Sequence, residues 1–106
     1  MNININPKIK DDATDQLFQA ILLLESIDEC YAFFEDICTV NELKSLAQRL
    51  EVAKMLEQKI KYTEITEKTG ASAATISRVN RSLNYGTDGY KNMLNRLNEQ
   101  TSKENS

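Results

Sequence analysis

Apolar residues recur every three to four positions along most of this chain, which is the spacing of one face of an α-helix. Between Leu43 and Leu56, for example, apolar side chains fall at i, i+3, i+4 and i+7. Around Ile21 the apolar face is wider than a surface helix needs, which predicts burial on more than one side. The pattern predicts an all-α protein with six helices, at about residues 14–26, 27–37, 39–58, 62–69, 72–83 and 87–97.

The two ends of the chain carry little of this pattern. Residues 1–12 contain Pro7 and only weak periodicity, so we predict a flexible N-terminal arm there. Residues 99–106 are polar throughout and are predicted to form a disordered tail. A single helical domain is then expected over residues 13–98, because 106 residues suffice for one domain. A core this small gains stability from association, which predicts a homodimer.

Turn signals in the second half of the chain predict a helix-turn-helix, with Tyr62–Thr69 as its first helix and Ser72–Leu83 as its second. Gly70 falls where a helix ends on a left-handed residue, a conformation that glycine adopts without penalty. The hydroxyl of Ser72 is placed to cap the second helix. Three apolar residues are spaced to hold the two helices together across the turn, namely Ile65, Ile76 and Val79.

The outward residues of this motif suit contact with double-stranded DNA. Small side chains at the start of the second helix let it approach the floor of the major groove, where Ala and Thr methyls can contact the thymine methyl. Hydroxyl and basic side chains can bond bases or phosphates. The predicted DNA-binding residues are Lys61, Thr63, Lys68, Ser72, Ala73, Ala74, Thr75, Ser77, Arg78 and Arg81. A helical hairpin whose polar face is only solvated is the alternative interpretation.

Charge is distributed unevenly, and this changes what the net charge of −3 implies. Residues 11–42 contain nine acidic residues and no Lys or Arg. Residues 44–81 contain eight basic residues against four acidic ones, a net charge of +4. This asymmetry favours nucleic-acid contact by the basic half. Two solvated helix surfaces of opposite sign would produce the same pattern.

Several kinds of site are disfavoured by composition. The chain has no histidine, and its two cysteines, Cys30 and Cys38, lack a zinc-binding spacing, so we predict no metal site. No catalytic residues are predicted either, because there is no phosphate-binding Gly-rich loop and no nucleophile motif. We therefore expect a protein that is not an enzyme. The N-terminus has no apolar signal-peptide core and no segment is long enough to span a bilayer, so we also expect a cytoplasmic location.

A resemblance adds to this interpretation. The chain is similar to the Trp-repressor superfamily, and most closely to its YerC/YecD group of Trp-repressor-related proteins, in the stretches TVNELKSLAQRLEVAKML and YTEITEKTGASAATISRVNRSLNYG. The similarity covers about residues 14–97. It implies a six-helix, Trp-repressor-like subunit in an intertwined homodimer whose N-terminal helices interlock. It also implies two recognition helices that reach successive major grooves.

The resemblance further implies a ligand site, because the repressor of this family binds free tryptophan. Four residues fall on positions around that ligand, namely Thr39, Arg49, Arg78 and Ser82. Val79 departs from the family pattern, which has a glycine beside the indole, and overpacking of this kind costs about 1–3 kcal/mol or blocks binding. We therefore predict no cofactor, with a tryptophan-like corepressor as the alternative. A structural or phosphate-contacting role is favoured for Arg49 and Arg78.

Together the motif, the charge and the resemblance predict a sequence-specific DNA-binding transcriptional regulator, a repressor in the simplest case, with effector gating as an additional feature. The alternative is a helical dimeric protein-interaction module without DNA binding. In that case the acidic segment at residues 11–42 would dock a partner protein.

Overall fold

The computed structural model describes residues 5–104, and over this range it contains helices and no strand. A 3-10 turn at Pro7–Ile9 precedes six α-helices. In chain order these are α1 (Asp12–Leu22), α2 (Ile27–Ile37), α3 (Val40–Glu57), α4 (Tyr62–Thr69), α5 (Ala73–Tyr85) and α6 (Gly89–Glu104). The predicted all-α class and the number of helices are confirmed. Within the described range, none of these helices is both long enough and apolar enough to cross a membrane.

Side-chain caps place α1 earlier in the chain than the apolar spacing predicted. The N–H of Thr14 donates to Asp11 Oδ1 at 2.7 Å, so the helix begins at Asp12. At the other end, Ser26 Oγ accepts from the N–H of Glu29 at 3.1 Å and caps α2. A residue that caps the next helix is not part of the preceding one, so α1 ends before Ser26.

The long helix α3 begins with a capping box, in which two residues satisfy each other's backbone donors. The N–H of Glu42 donates to Thr39 Oγ1 at 3.1 Å, and the N–H of Thr39 donates to Glu42 Oε1 at 2.8 Å. The backbone N–H of Thr39 is the main reason that the pKa of Glu42 lies below its ordinary value.

The end of α3 has the hydrogen bonds of a Schellman motif. The N–H of Ile60 donates to the carbonyl of Met55 at 3.1 Å, and the N–H of Lys59 donates to that of Leu56 at 3.0 Å. Lys59 is left-handed, with φ of 61°. Ile60 is half-buried and packs against the core, so the motif turns the chain from α3 into α4.

The structure divides into two compact units between Lys44 and Ser45, and the single domain over residues 13–98 stays a prediction. The second unit holds the core, which consists of Val52, Ala53, Met55, Leu56, Ile65, Ala71, Ile76, Val79, Leu83 and Leu94. The apolar stripe predicted along α3 is buried only in the second half of that helix. Leu46 and Leu50 remain 47% and 38% exposed.

The described residues of the first unit form no such core. Neither α1 nor α2 contains a buried residue. Large apolar side chains are exposed there instead, including Phe18, Leu22, Leu23, Ile27 and Tyr31. The apolar faces of α1 and α2 are therefore largely uncovered in the first unit.

Both ends of the described range contain helical residues. In the predicted arm at 1–12, Asn6 Oδ1 accepts from the N–H of Lys8 at 3.0 Å and starts the 3-10 turn, while residues 1–4 lie outside the described part. In the predicted tail at 99–106, α6 continues through Glu104, and residues 105–106 lie outside the described part. No glycine or proline interrupts the segment after Asn98, so polarity alone does not end the helix.

Candidate nucleic-acid interface

The first helix of the predicted motif, α4, and its terminating glycine are confirmed. The helix spans Tyr62–Thr69, as predicted. Gly70 follows with φ of 74°, and its N–H donates to the carbonyl of Thr66 at 2.8 Å. No atom lies within 4 Å of the position that a Cβ would take at Gly70. Glycine is therefore required here by the backbone conformation and not by the available space.

Side chains outside the predicted set hold this turn in place. Thr69 Oγ1 donates to the carbonyl of Ile65 at 2.7 Å and accepts from the N–H of Ala71 at 3.1 Å. From α3, Gln48 Nε2 donates to the carbonyl of Thr69 at 3.0 Å. These bonds fix the turn to the long helix. Gln48 is separated from Thr69 by 21 residues, so no local pattern in the sequence indicated this contact.

The predicted apolar packing between α4 and α5 is confirmed by the burial of the three side chains involved. Ile65 and Ile76 are fully buried and Val79 is 2% exposed, all within one core cluster. A packed interior resists reorientation of its helices, so the relative pose of α4 and α5 is fixed by this cluster.

The first turn of α5 is organised by a cap that uses two of the predicted DNA-binding hydroxyls. Ser72 Oγ accepts from the N–H of Thr75 and lies 3.1 Å from Thr75 Oγ1, to which it donates. The side chains of Ala73 and Ala74 are exposed between them. The surface that this end of α5 offers to a ligand is consequently small and largely apolar.

Further along α5, the outward face is positively charged. Ser77, Arg78 and Arg81 are exposed, and residues 68–87 include no carboxylate. Neither arginine makes an ion pair within the described residues, whereas Lys68 pairs with Glu64 at 3.3 Å. The guanidinium groups of Arg78 and Arg81 are thus available to an external anion.

The remaining predicted residues lie on α4 or directly before it. Lys61 is the exposed residue just before this helix, Thr63 is exposed in its first turn, and Lys68 lies in its last turn. These three residues belong to the first helix of the α4–α5 pair or directly precede it, and their contact with DNA stays a prediction.

One outward residue of this helix was missed by the sequence analysis. α5 continues through Tyr85, beyond the predicted end at Leu83, and Tyr85 is 87% exposed. The helix stops at Gly86, where a Cβ would lie 2.4 Å from the carbonyl oxygen of Ser82. The sequence signal for a stop was therefore correct in kind, but it placed the end of the helix one half-turn early.

A cavity of about 310 Å³ lies beside α5 in the second unit. Its lining includes Arg49, Thr75, Arg78, Val79, Ser82 and Tyr90. Three of the four residues assigned by resemblance to a ligand site, Arg49, Arg78 and Ser82, are thus brought together. The fourth, Thr39, belongs to the first unit, where its hydroxyl accepts from the N–H of Glu42.

Comparison with known proteins gives consistent matches. The family model described as Trp repressor protein matches residues 12–98. The protein YerC of Bacillus subtilis (strain 168) is 55% identical over 92 residues, which are 87% of this chain and 88% of YerC. The resemblance stated from the sequence motifs is confirmed by these matches.

Two solved structures share the fold. A TrpR-like protein from Eubacterium eligens is 63% identical, with a TM-score of 0.86 over 88% of this chain and 96% of that protein. A protein from Staphylococcus aureus, described as a candidate Trp repressor, is 55% identical, with a TM-score of 0.84 over 87% of this chain and 92% of its own.

Proposed function

Because this chain belongs to the Trp repressor protein family, we propose that it is a sequence-specific DNA-binding regulator of transcription that acts as a repressor. The observation that carries the proposal is the outward face of α5. That face is small at its N-terminal end, has no carboxylate and carries two arginines without ion pairs among the described residues. A recognition helix needs this combination to enter the major groove and hold the phosphates.

Each part of the motif has its own role in the proposal. Ala73 and Ala74 bring α5 close to the base edges, where methyl groups contact thymine. Arg78 and Arg81 bond guanine or phosphate. A set of phosphate contacts from the supporting helix fixes the register, supplied by Lys61, Thr63 and Lys68. Ser72 and Thr75 keep the first turn of α5 in helical form, and Ser77 adds a hydroxyl to the outward face.

We also propose that the active form is a homodimer assembled through the first unit. The support is the exposure of large apolar residues on α1 and α2, which include Leu22 at 83% and Leu23 at 78%. Monomeric proteins rarely leave contiguous apolar surface of this kind in water. Burial against the same surface of a second copy gives α1 and α2 the packing that a single chain lacks.

The salt dependence of DNA binding tests the main proposal. Selection of genomic fragments on the purified protein is expected to enrich a palindromic site, and its affinity should fall steeply with salt. Arg81→Ala should reduce the slope of log affinity against log salt by about 1.8 if Arg81 contacts a phosphate, because the proposed dimer loses two such contacts. Arg96→Ala removes an exposed guanidinium from α6, outside the motif, and should leave the slope unchanged.

Absence of any retained DNA at low salt would refute the DNA-binding function. The protein-interaction alternative would then gain support if charge-neutralising changes at Asp28, Glu29, Glu35 and Asp36 abolished capture of a partner protein.

For regulation, we propose that DNA binding does not require tryptophan. Val79 is buried and lines the cavity, at the position where the family pattern has a glycine beside the indole, and overpacking there disfavours an indole ring. Arg78 belongs to both the cavity and the outward face of α5, so a different effector held there would alter DNA contact directly. Thermal unfolding with tryptophan, indoles and other amino acids tests this, and a tryptophan-induced rise in Tm together with tighter DNA binding would contradict it.

A further inference from the structure

The outward face of α5 extends farther than the residues assigned to DNA contact so far. Ala74, Arg78, Arg81 and Tyr85 follow one another at i, i+4, i+7 and i+11, which places them in one stripe along the helix. Tyr85 ends the stripe and is 87% exposed, the highest value among the large apolar and aromatic residues of the described chain. No hydrogen bond holds its hydroxyl within the described residues.

The length of this stripe indicates what each end can reach. Eleven residues of α-helix rise about 16 Å, at 1.5 Å per residue. The major groove of B-DNA is about 12 Å wide, and a recognition helix contacts base edges with its N-terminal residues. With Ala74 at the groove floor and α5 running across the groove, Tyr85 would lie beyond the bases and beside the sugar-phosphate backbone.

The chemistry of the side chain fits that position. A phenol carries an O–H donor on a rigid ring, and tyrosine is among the residues that donate hydrogen bonds to phosphate oxygens. No carboxylate lies between Glu67 and Asp88 to repel a phosphate from the helix that carries Tyr85.

We propose that Tyr85 is a phosphate-contacting residue that positions the C-terminal end of α5 on the DNA backbone. This inference rests on the proposed DNA-binding function. It assigns Tyr85 a neutral contact, which sets the register of the helix on DNA without reading sequence. Arg81, one turn earlier, makes the charged contact.

Tyr85→Phe tests this assignment, because it removes only the hydroxyl from an exposed ring. We expect affinity to fall about five- to hundredfold, on the selected site and on unrelated duplex alike, because the proposed dimer loses two such hydrogen bonds. The slope of log affinity against log salt should stay at the wild-type value, since no charge is lost. Arg81→Gln serves as the positive control for a reduced slope. Ser102→Ala removes an exposed hydroxyl from α6, outside the motif and the proposed dimer surface, and should change neither quantity.

The outcomes separate the two proposals. Wild-type affinity of Tyr85→Phe on both duplexes would overturn the assignment while leaving DNA binding intact. Loss confined to the selected site would mean that Tyr85 reads a base, which also overturns it. If the wild-type protein itself retains no DNA, the proposed function fails and the role of Tyr85 fails with it.

Discussion

At the scale of single residues, Lys59 occupies a position that suits glycine better. Its φ of 61° is left-handed, and it stands at the C′ position of the motif that ends α3. A side chain makes this conformation about 1–2 kcal/mol less favourable, and glycine avoids that cost. Glycine also loses more backbone entropy on folding, which offsets part of the gain. We expect Lys59→Gly to raise the free energy of unfolding by about 0.5–1 kcal/mol.

Urea denaturation at fixed protein concentration checks this expectation through a higher midpoint at unchanged m. Lys54→Gly is the matched control, because Lys54 is exposed within α3 and has ordinary helical geometry. It should lower stability by about 1 kcal/mol. A loss of stability in both variants would contradict the strain assigned to Lys59.

Gly70 is the reverse case, since a left-handed glycine is already in place. Gly70→Ala is expected to reduce the free energy of unfolding by about 1–2 kcal/mol, all of it from the backbone, because the new Cβ meets nothing within 4 Å. Gly89→Ala, at a position without positive φ and with only Thr87 Oγ1 nearby at 3.8 Å, should be neutral or stabilising. Equal effects in thermal melts would argue against a left-handed Gly70.

At the scale of elements, the capping box of α3 predicts a pH dependence. Hydrogen bonding from Thr39 lowers the pKa of Glu42, so the folded state binds its proton less readily than the unfolded state does. The capping box therefore stabilises the folded state above about pH 4.3, the ordinary pKa of glutamate. This stabilisation is lost as the pH falls through the lowered pKa of Glu42.

Glu42→Gln removes this titration. The difference in unfolding free energy between the wild type and the variant should shrink as the pH is lowered below about 4.3. Chemical denaturation at a series of pH values measures it. A difference that stays constant down to about pH 3 would show that the carboxylate does not stabilise the cap.

At the level of the whole molecule, the exposed apolar surface of the first unit predicts that two copies of the chain associate through it. Leu22→Glu places a charge on that surface, and burying an unpaired charge in an interface costs several kcal/mol. We expect the wild type to sediment as a dimer, and the variant to sediment as a monomer and bind a palindromic site much more weakly. Analytical ultracentrifugation and DNA titration measure the two effects.

Gln16→Glu adds the same charge to an exposed polar position of α1 and should leave the dimer intact. Equal sedimentation of the wild type and Leu22→Glu would show that this surface is not the interface. Any DNA binding would then involve the single α5 of one molecule.

The local chemistry of this chain can be read directly from its amino-acid sequence. Gly70, Ser72 and the Thr39–Glu42 box act on backbone groups within four residues of themselves, so the sequence showed their roles before any fold was known. The inward faces of α4 and α5 were readable for the same reason, because helical spacing fixes which side chains share a face.

Features that depend on residues far apart in the chain become visible only in the folded molecule. The bond from Gln48 to Thr69 spans 21 residues, and the exposure of Leu22 depends on which other segments pack over it. Burial is a property of the whole packing arrangement, so a pattern along the chain identifies an apolar face without determining what covers it.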